Sequence, residues 1–227
     1  MPEKKRKQLF DEWPEKYDRW FTTPLGALIR DYESQLIMDF LQPVPGELIL
    51  DAGCGTGVFT LDILAKETKV IGVDISLPMI KKAKDKMRGT KFQAVLADIL
   101  HLPFPEGIFD RLISITTLEF ISDGKKAVQE MFRVTKKGGV IVVATLNSLS
   151  PWAQRRQAEA KEGSVFAKAI FRSPEELLAL APVKGLARTA IHFQKNEDPH
   201  RARFIEEEGQ RKNLNTGAFV AASWIKS

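Results

Sequence analysis

The sequence predicts an α/β fold built on a doubly wound, seven-stranded and mostly parallel sheet that ends in an antiparallel hairpin. Short apolar runs alternate along the chain with segments whose apolar residues recur at helical spacing. The runs are apolar at consecutive positions, which is typical of strands buried on both faces of a parallel sheet. The seven predicted strands are Leu48–Leu50, Val70–Val73, Phe92–Leu96, Leu112–Ile115, Val140–Thr145, Leu186–Phe193 and Ala218–Ile225.

The helices between these strands are marked mainly by their ends. Apolar residues at helical spacing predict a helix over Leu28–Leu41. Ser76 opens a second helix that Gly89 closes, and Ser173–Glu176 has the composition of a capping box that opens another. Cations and a glycine at Lys136–Gly138 are typical of a helix C-terminus and predict that a helix ends there.

Three segments stand outside the regular alternation. The stretch between the last two strands is polar, and we interpret it as a loop that allows an antiparallel hairpin at the sheet edge. Residues 1–41 and 147–172 flank or interrupt the strand–helix pattern. Because segments that follow strand ends in open α/β sheets lie over the ligand crevice, we expect a helical lid at 1–41 and an inserted lid at 147–172. Residues 42–227 would form the domain that they cover.

Composition restricts the class of protein. The chain is 44% hydrophobic and 28% charged, which is ordinary for a soluble domain, and no apolar run approaches the roughly 18–20 residues of a membrane span. The N-terminus lacks the apolar core of a secretory signal, and the single Cys54 fits a reducing compartment, so we expect a cytoplasmic protein. Basic stretches at 4–7 and 81–91 leave a nucleic-acid partner open but disfavoured.

A glycine-rich turn follows the first predicted strand. Asp51-Ala52-Gly53-Cys54-Gly55-Thr56-Gly57 places three glycines where the strand ends, so that the backbone can turn tightly and approach a ligand closely. The helix expected to begin near Val58 would present free N–H groups there, which suit an anion such as a carboxylate.

Two carboxylates extend this constellation to neighbouring strand ends. Asp74 ends the second strand 21 residues after Gly53, where an acid can accept hydrogen bonds from ribose hydroxyls. Asp98 ends the third strand, within reach of an adenine amino group. Three consecutive strand ends therefore point to an adenosine ligand. Val58 stands where the dinucleotide fingerprint requires glycine, which disfavours a nicotinamide cofactor.

The pattern D-x-G-x-G-x-G at 51–57 resembles motif I of the class I S-adenosylmethionine (SAM)-dependent methyltransferases. The resemblance continues through Ile71–Ser76, Ala97–Phe104 with Phe109-Asp110, and Arg133–Gly139, where it is similar to the small-molecule branch of the family. It covers about Tyr17 to Leu146. It implies a Rossmann-like sheet, SAM as cofactor with S-adenosylhomocysteine as its product, and methyl-transfer activity.

The resemblance also implies a cofactor site. Its positions fall on Tyr17, Asp51, Ala52, Gly53, Cys54, Gly55, Gly57, Asp74, Ile75, Met79, Ala97, Asp98, Ile99 and Thr116. Asp51 and the backbone of Gly53 would hold the methionine end, and Asp74 the ribose. Thr116 would line the methionine side near the substrate, and Tyr17 would cover the cofactor.

The adenine would lie in an apolar slot. Ile75 and Met79 would flank it, while Asp98 meets its amino group and Ile99 lies beside it. No metal site is predicted. No catalytic residue is assigned, because methyl transfer to an oriented nucleophile requires a dedicated base only when the acceptor must lose a proton.

Several further residues carry weaker signals. His101 is expected beside the adenine pocket or in solvent rather than as a base, and His192 in a structural role. Glu119 could contact substrate or cap a helix, and Cys54 is interpreted as a small filler residue. Packing is favoured over a pocket role for four aromatic residues, Trp13, Trp20, Phe21 and Trp152.

The acceptor is the least determined part of the prediction. Thr116–Glu119 replaces the [DNS]-P-P-[YF] motif that is typical of enzymes methylating an exocyclic base nitrogen, and a single cysteine excludes two-cysteine methylation of RNA cytosine. We therefore expect a small organic acceptor. An RNA or protein acceptor, and a SAM-binding regulatory protein without transferase activity, stay open as alternatives. The sequence does not predict the methylated atom or the oligomeric state.

Overall fold

A computed structural model describes residues 7–159 and 165–227. The elements in chain order are α1 (Pro14–Phe21), α2 (Pro24–Leu41), β1 (Leu48–Ala52), α3 (Thr60–Leu64), β2 (Lys69–Asp74), α4 (Leu77–Lys86), β3 (Phe92–Leu96), β4 (Phe109–Ile115), α5 (Gly124–Val134), β5 (Thr135–Leu146), α6 (Pro151–Glu159), α7 (Pro174–Leu178), β6 (Leu186–Ala190), α8 (Pro199–Arg211) and β7 (Phe219–Ile225). Short 3₁₀ turns lie at Leu118–Phe120 and Val165–Lys168. None of the helices within these described ranges is long and apolar enough to cross a membrane.

The seven strands form one sheet in the order β3-β2-β1-β4-β5-β7-β6. Strands β1 to β5 are parallel, whereas β7 lies antiparallel to both β5 and β6. The predicted fold class is therefore confirmed. The strand order reverses between β1 and β4, so their carboxyl ends open the crevice in which such sheets bind ligands.

Successive strand residues supply two separate apolar layers. Ile49 of β1 packs in the layer that contains α2, whereas its neighbour Leu50 packs in the layer that contains α5. The same alternation separates Ile113 from Leu112 on β4, because successive side chains of a strand point to opposite faces. The sheet is thus covered on both sides, which explains why its strands read as continuous apolar runs.

The predicted loop between the last two strands is wrong, because this stretch contains α8. Asp198 caps that helix by accepting hydrogen bonds from the N–H groups of His200 and Arg201. Its buried face consists of Ala202, Glu206 and Gly209. Two small residues and a carboxylate give almost no apolar periodicity, so the sequence pattern conceals the helix. The antiparallel pairing of β7 with β6 is nevertheless as predicted.

Helix α5 ends earlier than the sequence pattern predicts. The helix stops at Val134, and Lys136–Gly138 belongs to the start of β5. Gly138 has a φ of +75°, and the pairing of β4 with β5 shifts register at this point, so the glycine serves a bulge rather than a helix end. Lys136 binds Asp110 of β4 at 2.6 Å instead of facing a helix dipole.

Other boundaries differ by less. The helix predicted over Leu28–Leu41 begins at Pro24, where Thr23 caps it by accepting a hydrogen bond from the Gly26 N–H at 3.0 Å. The capping box at Ser173 is present. The helix expected near Val58 starts at Thr60. Helix α1 falls within the helical segment expected at 1–41, but its bounds were not predicted, because its apolar residues are mixed with charged ones.

We predict that Gly209→Ala destabilises the protein by about 1–3 kcal/mol, the range for overpacking a closed site. Alanine normally stabilises a helix interior relative to glycine by about 1 kcal/mol. Here a Cβ at Gly209 would lie 2.3 Å from Cγ of His192, whose side chain is buried against Glu206. Urea unfolding measures the effect, with Glu207→Ala on the exposed face as the control. A stabilised Gly209→Ala variant would contradict this packing.

Candidate active site

A cavity of about 780 Å³ opens at the carboxyl ends of β1 to β4. Most of the positions implied by the family resemblance line it, namely Tyr17, Asp51, Gly53, Cys54, Gly55, Asp74, Ile75, Met79, Ala97, Asp98, Ile99 and Thr116. Ala52 and Gly57 are buried outside the lining. A Cβ at Gly57 would lie 2.3 Å from Met87 Cε, so this glycine lets α4 pack behind the turn.

In the turn after β1, Gly53 and Gly55 both have a positive φ, and Gly53 is the one of the two that no side chain could replace. Gly53 has a φ of +85°, and a Cβ there would lie 2.2 Å from Oγ1 of Thr117. Its N–H donates to the Val73 carbonyl at 2.7 Å, which ties the turn to β2. Gly55 has a φ of +51°, but nothing lies within 4 Å of a Cβ placed there. The position where a Cβ of Gly53 would project is therefore filled by protein, whereas the same position at Gly55 is open to the cavity.

Asp51 is a buried carboxylate at the end of β1. Thr60, in the first turn of α3, donates its hydroxyl to Asp51 Oδ2 at 2.5 Å. Burial raises the pKa of Asp51 to about 7, although the Thr60 hydrogen bond lowers it and nearby Asp74 raises it further. The folded protein thus holds a carboxyl group beside the cavity at an energetic disadvantage, which is typical of functional positions.

Asp74 and Asp98 lie at the ends of β2 and β3. Asp74 accepts hydrogen bonds from the Ser76 N–H at 2.8 Å and the Gly55 N–H at 2.9 Å, one on each oxygen. Burial raises the pKa of Asp74 despite these two bonds. Asp98 accepts from the Leu100 N–H at 2.9 Å through Oδ1. Backbone amides therefore orient both carboxylates toward the cavity.

Apolar side chains separate these two carboxylates. Ile75 is 46% exposed in spite of its apolar side chain, whereas Met79 and Ile99 are buried. Together with Ala97 they line one part of the cavity. The result is a slot with apolar walls and carboxylates at its edge, which suits a flat, partly polar ring such as adenine.

The N-terminal segment closes the cavity from above. Tyr17 of α1 is hydrogen bonded to Thr116, which has a φ of +46°, and burial raises the pKa of Tyr17 well above its ordinary value. Asp18 accepts a hydrogen bond from the Thr56 hydroxyl at 2.6 Å and pairs with Lys86 at 2.9 Å. Helix α1 is thereby attached directly to the glycine turn.

A charged cluster occupies the end of the cavity beyond Thr116. Glu119 is fully buried, its Oε1 accepts the Leu146 N–H at 2.7 Å, and its Oε2 has no hydrogen-bond partner among the described residues. Burial raises the pKa of Glu119 to about 7 and that of Glu33, on α2, to about 8. Arg156 of α6 faces both carboxylates, and burial lowers its pKa.

Glu33 and Arg156 were missed by the sequence interpretation. Glu33 lies four residues after Ile29 and four before Ile37, which puts a carboxylate on the apolar face of α2. A charge on a buried helix face is a detectable signal, because such residues are retained only when they are paired or functional. Arg156 gave no comparable signal in its polar segment. Glu119, left open from sequence, lines the cavity.

The remaining candidates separate clearly. His101 has a 69% exposed side chain and does not line the cavity, and His192 pairs with buried Glu206 at 3.0 Å in a structural role. Cys54 is buried, and burial raises the pKa of its thiol, consistent with a filler residue. The expectation of packing holds for Trp20, Phe21 and Trp152, which pack against the core, but these three residues and Trp13 also line the cavity.

Comparison with known proteins agrees with this geometry. A family model described as a methyltransferase domain matches residues 50–143. Malonyl-[acyl-carrier protein] O-methyltransferase of Hamiltonella defensa is 40% identical over 116 residues, which cover 50% of this chain and only 44% of that relative. Demethylmenaquinone methyltransferase of Beutenbergia cavernae is 33% identical over 175 residues, covering 74% of this chain and 70% of the relative.

The fold has a matching solved structure. A SAM-dependent methyltransferase from Thermotoga maritima, described as a possible histamine N-methyltransferase, superposes with a TM-score of 0.71 at 23% identity over 96% of this chain and 98% of its own. The structural match shows the fold, and the family-model match extends over the strands that bear the glycine turn and both acids. The chain belongs to the class I SAM-dependent methyltransferase family.

Proposed function

We propose that this protein transfers the methyl group of SAM to a small organic acceptor in the cytoplasm. The observation that carries the proposal is the single cavity of about 780 Å³. It runs from the glycine turn and its acids to an aromatic end that contains Glu33 and Glu119. A cofactor site continuous with a covered, apolar pocket suits a small molecule better than a surface groove for RNA or protein.

The residues present fit SAM. Gly55 leaves open space where a Cβ would otherwise project, and the carboxyl group of Asp51 can receive the amino group of the methionine part. Asp74 presents oxygens to ribose hydroxyls, while the slot between Ile75 and Met79 accepts adenine beside Asp98. The bound sulfonium supplies an electrophilic methyl group.

The chain itself supplies orientation and exclusion of water. Fixing two reactants in line contributes up to about 7–11 kcal/mol of barrier reduction. Tyr17, anchored to Thr116, and the aromatic residues of α1 and α6 cover the region where the two would meet. We propose that the segments at 1–41 and 147–172 act as lids over it; residues 1–6 and 160–164 of these segments lie outside the described residues.

We predict that Asp74→Ala lowers the affinity for SAM at least about 30-fold, since bidentate recognition of two hydroxyls by a charged group is worth about 2 kcal/mol or more. Isothermal titration with SAM and with S-adenosylhomocysteine measures the loss. Asp85→Ala, an exposed acid on α4, is the control. Unchanged affinity would contradict the assignment of Asp74 to the ribose. A thermal shift of the unmodified protein with NAD but not with SAM would contradict SAM as the cofactor.

Asp51→Asn should stabilise the cofactor-free protein by about 1–3 kcal/mol above pH 7 while weakening SAM binding. Between pH 4 and 7 the unfolded chain loses the Asp51 proton before the folded chain does, so ionisation lowers the free energy of unfolding as pH rises. Asparagine does not titrate and can still accept the Thr60 hydroxyl. The gain, measured by denaturation against Asp85→Asn, should be small near pH 4. A variant that is less stable at pH 8 would refute the prediction.

Asp18→Ala should raise the dissociation constant for SAM about 3- to 10-fold, because it releases α1 from Thr56 and Lys86. Stopped-flow release of the cofactor should be faster, as for a loosened lid. Glu15→Ala is the matched control: Glu15 lies on the same helix and pairs with Lys82 of α4, but at an exposed site. Equal effects of the two changes would argue against a lid.

One assay distinguishes a methyltransferase from a protein that only binds SAM. Transfer of radiolabel from methyl-labelled SAM to a pool of small metabolites supports the proposed enzyme. Tight SAM binding without turnover on any metabolite, RNA or protein fraction would favour a regulatory SAM-binding protein instead.

A further inference from the structure

Glu33 and Glu119 belong to no part of the site that SAM would use. They come from different elements, α2 and the turn after β4, and both line the cavity beyond Thr116. Glu119 is 0% exposed and Glu33 is 7% exposed. A fold that buries two carboxyl groups in one apolar pocket must supply compensating charge or hydrogen-bond donors, since an isolated buried carboxylate costs several kcal/mol.

The protein supplies that compensation only in part. Arg156 is the guanidinium whose charge acts on both groups, so one carboxylate exceeds it when both are ionised. Arg172 acts on Glu119 but does not line the cavity, and its Nη1 donates to the Leu118 carbonyl at 2.9 Å. Oε2 of Glu119 stays without a donor among the described residues. Among the described residues, Glu119 therefore keeps one carboxylate oxygen that no N–H or O–H group meets, although Lys16, Arg155 and Lys195 also line the cavity.

Aromatic rings surround the same place. The Arg156 guanidinium lies 4.7 Å from the ring centroid of Phe166 and 6.0 Å from the ring centroid of Trp152. Phe10 and Phe120 pack edge to face at 4.7 Å, and Phe120 lies 6.1 Å from Phe166 between ring centroids. Ring faces next to carboxylates attract cations, and they bind the apolar part of an organic cation as well.

We propose that this end of the cavity, defined by Glu33 and Glu119, binds the amino group of the methyl acceptor, and that the acceptor is an amine with an apolar or aromatic body. The inference rests on the proposed function and specifies its substrate class. An ammonium group donates to the free Oε2 of Glu119 and supplies the missing positive charge. An alcohol would supply only the donor, and a carboxylate would add a like charge.

In this proposal Glu119 accepts a proton from the bound amine. The bound ammonium gives one proton to the Glu119 carboxylate, and the freed nitrogen lone pair forms the N–C bond. The methyl–sulfur bond breaks with its electron pair left on sulfur, and the product leaves as the methylated ammonium ion. The proton on Glu119 returns to solvent. A carboxyl group whose pKa lies near 7 exchanges protons readily at neutral pH.

Binding should release protons. Without ligand, burial keeps Glu33 mostly protonated and Glu119 about half protonated near pH 7, against the opposing influence of Arg156 on both and of Arg172 on Glu119. Tyr17 also faces the two carboxyls and stays neutral. An ammonium ion pairs with the ionised forms, so its affinity should rise between pH 6 and 8.5.

The test uses three probes of similar shape on protein saturated with S-adenosylhomocysteine: 2-phenylethylamine, 2-phenylethanol and 3-phenylpropanoate. Titration calorimetry should show the amine binding at least 10-fold more tightly than either of the others, with a heat that depends on the buffer because protons are released. Glu119→Gln and Glu33→Gln should each remove most of that preference, because the amide that replaces the carboxylate cannot pair with an ammonium ion. Glu175→Gln, an exposed acid on α7, should change nothing.

The controls separate this inference from the proposed function. Affinity for S-adenosylhomocysteine and the circular dichroism spectrum are measured first for every variant. Loss of cofactor binding in the unmodified protein would defeat the proposed function. Intact cofactor binding with no amine binding, with equal affinity for amine and alcohol, or with preference for the carboxylate would overturn the amine acceptor alone.

Discussion

The N–H of Gly53 donates to the carbonyl of Val73, and the site depends on the turn that this bond holds. The turn requires a left-handed backbone, and the space beside it is filled by Thr117, so no side chain fits. Thr117 in turn donates its hydroxyl to the Gly53 carbonyl at 3.2 Å. One residue thereby joins the ends of β1, β2 and β4. Asp51, Asp74 and Thr116 then surround one cavity because those three ends are fixed together.

Buried charge is the second constraint on this molecule. Asp51, Glu33 and Glu119 all line the cavity, and burial raises the pKa of each. None of the three improves the stability of the empty protein, since each resists ionisation in an apolar setting. Such groups are concentrated where a ligand meets them, so a protein that binds charged ligands accepts lower stability at its site.

The cover over the cavity is held by unlike forces at its two sides. Helix α1 is attached by polar contacts, with Asp18 binding both Thr56 and Lys86. Helix α6 contributes stacking instead, through Trp152 and Arg156. Trp152 also donates its indole N–H to the Phe193 carbonyl at 2.7 Å. Ion-pair and hydroxyl contacts thus predominate on the α1 side, whereas the α6 side combines aromatic packing with one indole hydrogen bond.

The sequence by itself determined the sheet, the glycine turn and the acids at three strand ends. Those features are local: apolar runs mark strands, and only glycine at Gly53 permits the turn. Tertiary structure alone decided the rest. Helix α8 could not be recognised in the sequence, because its buried face consists of Ala202, Glu206 and Gly209. These residues show their role only when they pack against His192. The charged end of the cavity was concealed for the same reason, since Glu33, Glu119 and Arg156 lie far apart in the chain and form a cluster only when α2, the β4 end and α6 pack together.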